Sequence, residues 1–256
     1  MALRFPVVDR VPLKQSPLEL VVCQVRFPTI LALANGAAPA AFENRVRAKY
    51  PVPTQKMRVN LELDPTSGAM RQVKESFWSF DDEDASWTVS LGQGFLSIET
   101  KRYESFEAFL ARFEELVEII KQEYKVSLQD RIGLRYIDRI SKDRDKRLPD
   151  DWKKHLPDTL IPLRSFADPA RGQLANFETR LAFDDAVLAI RSNFVDKSFP
   201  GATEDELVLD FDCYSEKRAK IALSKDVLSS FRSASYSAFR WSIGDLIEDL
   251  KKEPIP

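Results

Sequence analysis

Apolar positions run almost unbroken from Leu18 to Phe27 (LELVVCQVRF), with several β-branched residues, and stop at Pro28. That pattern predicts a strand covered on at least one face. The preceding segment, 1–16, holds Pro6 and Pro12 among scattered apolar residues and reads as an extended arm. Phe42, Val46 and Tyr50 recur every four residues, a spacing that predicts a helix over Pro39–Lys49 closed off by Pro51. Four strand-like runs follow, Met57–Leu63, Val73–Phe80, Trp87–Leu91 and Phe95–Thr100. Turn-forming residues separate them at Asp64–Gly68, Asp81–Asp84 and Gly92–Gly94. Ser105 then stands as a cap before a long helix whose Phe106, Phe109, Leu110, Phe113, Leu116, Val117, Ile120 and Tyr124 form one stripe.

The second half repeats this order with variations. Arg131–Ile140 (RIGLRYIDRI) predicts a strand, followed by a charged loop and a short helix around Asp150–His155. A connector bearing Pro157, Pro162 and Pro169 leads to strands at Phe177–Phe183, Val187–Phe194 and Glu206–Tyr214. Ser224 caps a final helix with Leu228, Phe231, Ser235, Phe239, Ile243, Leu246 and Leu250 on one side. Both opening strands carry an apolar-Arg-aromatic triplet, Val25-Arg26-Phe27 and Leu134-Arg135-Tyr136. The pattern therefore predicts an α+β chain made of two halves, 1–128 with a β-α-β4-α order and 129–256 with β-α-β3-α. A duplicated unit of this kind is similar to the TATA-binding-protein saddle, one curved antiparallel sheet with two long helices on one face. A helix-grip sheet around one long helix is the neighbouring alternative.

Composition narrows the chemistry. Among 256 residues there are 8 Gly, 2 Cys and 1 His. His155, Cys23 and Cys213 cannot by themselves close a four-ligand zinc site. No phosphate-cradling glycine loop is present; Gly92-Gln93-Gly94 turns between two strands and opens no helix. Neither a nucleophile elbow nor a paired-histidine zinc motif occurs. Lys+Arg 38 against Asp+Glu 40 gives a net charge of -2, without the basic excess of a typical nucleic-acid binder. The N-terminal residues lack a signal-peptide run, the apolar stretch Ile30–Phe42 is too short to span a bilayer, and two distant cysteines suit a reducing compartment. These features predict a cytoplasmic protein with no cofactor, no metal and no membrane contact.

The candidate functional residues are three arginines and one aspartate. Arg26, Arg135 and Arg139 lie on the two opening strands, where a planar guanidinium can grip a phosphate or a carboxylate. Alternation puts Arg131, Arg135 and Arg139 on one face of their strand and Asp138 on the other. Internal ion pairs with Glu19, Asp138 or neighbouring acids are the competing expectation. Asp210 and Asp212 share a strand face as a carboxylate pair, or simply as the wet side of a sheet. Asp81–Asp84 reads as a solvated turn, and Lys142–Arg147 as a solvated mixed-charge linker. Gly133 is placed inside a strand, where a bulge or close backbone approach is expected.

Four segments, Ser16–Pro28, Ile132–Ile140, Glu206–Asp212 and Phe239–Leu246, resemble a sporadically distributed bacterial family of about this length with no assigned activity. The resemblance implies a role beside mobile-element or defence genes. Taken together, the leading expectation is a non-enzymatic binding or regulatory protein, an accessory or neutralising component of a defence or toxin-type module whose partner is another protein. The alternatives are a nucleic-acid binder using Arg26, Arg58, Arg135, Arg180, Phe77 and Trp78 on a concave sheet face, and a sensor of a small anionic ligand. Homo-oligomerisation is left open by the sequence.

Overall fold

The computed structural model describes residues 8–11, 13, 16–63, 70–160, 174–221 and 225–252. The chain is α+β, and its registered hairpins are antiparallel. It divides into two compact units that do not follow one another along the sequence. One, here the arm unit, is Val22–Ile132 with Glu216–Lys225; the other, the ladder unit, is Met1–Val21, Gly133–Ser215 and Asp226–Pro256. Among the described residues, no helix is long and apolar enough to cross a membrane.

In the arm unit, β1 (Leu18–Arg26) enters from the ladder unit at Val22. A 3-10 turn, Leu31–Gly36, precedes α1 (Ala40–Val46). Then come β2 (Val52–Leu63), β3 (Met70–Asp81), β4 (Trp87–Gly92), β5 (Phe95–Thr100) and α2 (Phe106–Tyr124). The strands stand in the order β2-β3-β4-β5-β1, so β2 is an edge. Ser105 caps α2 as its spacing predicts, its hydroxyl accepting from the Ala108 N–H at 3.1 Å. The predicted stripe buries Phe106, Phe109, Leu110, Phe113, Leu116, Val117 and Ile120. Short strands β6 (Leu128–Gln129) and β11 (Ala219–Lys220), absent from the sequence pattern, pair in this unit.

The ladder unit holds β7 (Arg131–Ser141) from Gly133 onward, a 3-10 turn (Trp152–His155), β8 (Leu174–Phe183), β9 (Ala186–Val195), β10 (Glu206–Ser215), α3 (Lys225–Ile243) and α4 (Ile247–Leu250). Its strand order is β1-β7-β10-β9-β8. Leu207, Leu209, Phe211 and Cys213 are fully buried along one face of β10, with Leu188, Ile190 and Phe194 of β9 buried beside them. Gly133 is buried within β7.

Several expectations need correction. The helix expected over Pro39–Lys49 is only Ala40–Val46. The hairpin expected from Met57 to Phe80 is longer, because Pro53 lies on an edge strand where a missing N–H breaks no ladder bond. The short helix at Asp150–His155 is a 3-10 turn. The final helix breaks at Gly244, whose φ of +50° suits glycine and whose added Cβ would come 3.0 Å from the His155 carbonyl oxygen. Leu246 and Leu250 remain buried beyond the break. The linker Lys142–Arg147 is not fully solvated, since Asp145 and Arg147 are buried. The turn at Asp64–Gly68, Pro162 and Pro169 of the connector, and the cap at Ser224 lie outside the described residues.

Candidate functional site

On the face of the ladder unit's strands opposite Leu207, Leu209 and Phe211, charges alternate from strand to strand. Arg191 sits directly opposite Asp210 on one side and Glu178 on the other. Arg135 donates from Nε and Nη2 to the two Asp210 carboxylate oxygens at 2.7 and 2.8 Å, a bidentate grip, and Arg191 Nη1 adds a third bond at 3.0 Å. The run Glu178–Arg191–Asp210–Arg135 therefore crosses β8, β9, β10 and β7, with Arg180 joined to Glu178 at 3.0 Å. A second cluster is centred on Arg139, which donates to Glu19 at 2.9 Å and to Glu206 at 2.6 Å; Arg144 reaches Glu19 at 3.2 Å.

The electrostatics follow from these bonds. Hydrogen bonding to Asp210 holds the Arg135 guanidinium above its ordinary range, and Glu19 with Glu206 does the same for Arg139. At Glu19 burial acts upward, but Arg139 and Arg144 together bring the carboxyl below its usual value. These guanidinium groups are already paired with carboxylates, and the cross-strand pairs of unlike charge support the observed register.

Asp138 points away from all of this. It shares the covered face of β7 with Leu134 and Ile140 and is 5% exposed. It makes no hydrogen bond or ion pair with the described residues, and burial alone pushes its carboxyl up to about 7. Of the sequence candidates, then, Arg135 and Arg139 share the charged face and Asp138 is separated from them. Arg26 belongs to the arm unit and ends β1 exposed, with no side-chain ion pair among the described residues. Burial raises the thiols of Cys23 and Cys213 and leaves them unreactive. Among the described residues no group of three or more His, Cys, Asp or Glu is placed to hold a metal ion.

The surface that sequence reasoning missed is the β2–β3 hairpin. Its pairing runs from Val52↔Asp81 to Leu63↔Met70, whereas β4 pairs only with Trp78–Asp81 of β3. The outer part is therefore a two-stranded arm. Its base is anchored on one face by the Gly36 carbonyl, which accepts from Gln55 Nε2 and Trp78 Nε1, both at 3.0 Å. Gly36 has φ +72°, and a Cβ there would lie 2.6 Å from Ser76 Cβ. On the opposite face Phe95 meets the Phe77 ring edge-on at 5.4 Å and lies under the Arg58 guanidinium at 5.1 Å. Arg58 is also paired with Glu75. Beyond Gly36, the same face as Gln55 presents Met57, Val59 and Met70, exposed by 63%, 51% and 63%. The alternation Met57, Val59 was visible in the sequence; that this stretch would extend past β4 was not.

No protein-family model and no curated protein matches the chain. Among solved structures, a phage SAM lyase in complex with S-methyl-5'-thioadenosine is similar at 8% identity and a TM-score of 0.22, over 51% of this chain and 86% of that one. A likeness at that score defines neither fold nor chemistry.

Proposed function

We propose that this chain is a non-enzymatic protein-binding module that docks its partner on the β2–β3 arm. The observation that carries the reading is the exposure of Met57, Val59 and Met70 together on one face of a projecting hairpin. Monomeric proteins leave few such patches uncovered without use, and flexible methionines suit a surface that must adapt to another protein. Internal pairing in both units favours this reading over an anion or nucleic-acid site: Arg58, Arg135 and Arg180 each engage a carboxylate, and Trp78 is held by Gly36. We read the two halves of the sequence, 1–128 and 129–256, as diverged copies of one β-α-β(3-4)-α plan, and the setting as an accessory or neutralising role in a cytoplasmic bacterial defence or toxin-type module.

The test is affinity capture with the native chain and with a Met57→Glu/Met70→Glu variant, alongside circular dichroism and thermal melting. The expected result is that the variant keeps its fold and melting temperature but loses the captured partner. Equal recovery by both chains would overturn the reading.

A further inference from the structure

We infer that the arm's outer edge pairs with the same edge of a second copy, making an antiparallel β2–β2 dimer. This rests on the docking reading above and names its occupant. β2 is an edge strand of 12 residues, Val52–Leu63, with β3 on one side and, among the described residues, no strand on the other. Such an edge offers a row of backbone donors and acceptors to whatever strand approaches.

The sequence of β2 is complementary to itself in antiparallel orientation. A two-fold axis beside Val59 pairs residues 55–63 with 63–55, roughly 30 Å of edge. Position 56, a lysine, then stands opposite the partner's Glu62, and position 58, an arginine, opposite the partner's Asn60. Met57 falls opposite the partner's Leu61, and Val59 opposite the partner's Val59. Directly opposed residues share a face, so Met57 and Val59 of both copies, exposed in the single chain, fall on the same side.

Two other registers are poorer: an axis at Arg58 opposes two arginines, and one at Met57 opposes Lys56 to Arg58. An axis at Asn60 opposes Arg58 to Glu62 but pairs only residues 57–63, a shorter edge. Pro53, which lacks an N–H, lies outside the paired window. A foreign strand has no reason to match this charge order, whereas a second copy supplies it by symmetry and closes the assembly at two.

Analytical ultracentrifugation of the full chain from about 1 to 100 µM tests this. The expected behaviour is a concentration-dependent dimer. Lys56→Glu or Glu62→Lys alone should weaken self-association at least tenfold, and the two together should restore it. A Val59→Cys chain should form a disulfide-linked dimer under mild oxidation, because directly opposed Cα atoms stand about 4.5–5.5 Å apart, within the range a disulfide spans. Lys74→Cys, the register partner of Val59 one strand further in, should not. Circular dichroism on each variant separates loss of pairing from loss of fold. A chain that stays monomeric throughout, or a dimer indifferent to the charge swap and uncrosslinked at position 59, would overturn self-pairing. If that monomer still loses another protein on Met57→Glu/Met70→Glu, the docking reading stands without it.

Discussion

Arg135 and Asp210, 75 residues apart in sequence, are joined by two parallel hydrogen bonds, and the same carboxylate is shared with Arg191. Asp210 is the more enclosed partner, with a side chain 10% exposed against 43% for Arg135. Removing the carboxylate leaves two guanidinium groups facing each other, whereas removing Arg135 leaves Asp210 still paired. Asp210→Asn should therefore cost more than Arg135→Ala, about 1–3 kcal/mol against under about 1 kcal/mol. Urea unfolding of both variants measures the difference.

Asp138 gives the fold a pH dependence of a specific sign. An unfolded aspartate ionises near its ordinary 3.8, while the folded one holds its proton until about 7. The folded state thus binds the extra proton between those values, and stability falls as pH rises through that window, by up to about 4 kcal/mol from this group. Asp138→Asn should flatten the slope, nearly matching the native chain below about pH 3.8 and exceeding it by a growing margin up to about pH 7. Thermal melting across that range shows whether the slope belongs to this residue.

Arg147 is nearly sealed, its side chain 1% exposed. It donates to Asp145 at 2.8 Å and to the carbonyl oxygens of Leu250 and Lys252 at 2.8 and 2.6 Å, closing the C-terminal end of α4. Arg147→Met would strand the Asp145 charge and those carbonyls together, a loss of about 3 kcal/mol or more. The double variant Arg147→Met/Asp145→Leu should recover part of it. Chemical denaturation of the pair, read as a double-mutant cycle, decides the point.

Gly36 links the 3-10 turn to the base of the arm. Gly36→Ala combines a positive φ with a methyl group driven into Ser76, so the turn must lift and release Trp78 Nε1. The expected outcome is a loss of about 1–3 kcal/mol with a change in tryptophan emission. An unchanged spectrum and melting temperature would show that the turn does not need this close approach.

Local signals were legible where one element's own residues decide the outcome. Ser105 with the Phe106–Ile120 stripe marks α2, and Leu18–Arg26 marks β1 with little error. The Arg139–Glu19 pair was among the expected internal contacts. Arg135–Asp210 was not, because the register of strands 75 residues apart is set by tertiary pairing that no local pattern encodes. The same holds for Arg147, whose carbonyl acceptors are more than 100 residues away, so that its loop looked merely polar. The run Met57–Leu63 marked only the outer part of β2, which begins at Val52 because Pro53 is harmless on an edge strand.

The interleaving of the two units has a consequence for synthesis on the ribosome. The arm unit must wait for Glu216–Lys225 to bring β11 to β6, and the ladder unit for Asp226–Pro256 to cover Arg147. Neither can complete its core while the middle of the chain is still emerging. During that interval Phe211 of β10 lacks the Phe239 ring that α3 brings beside it, so the buried face of β10 stays open until the last part of the chain is made.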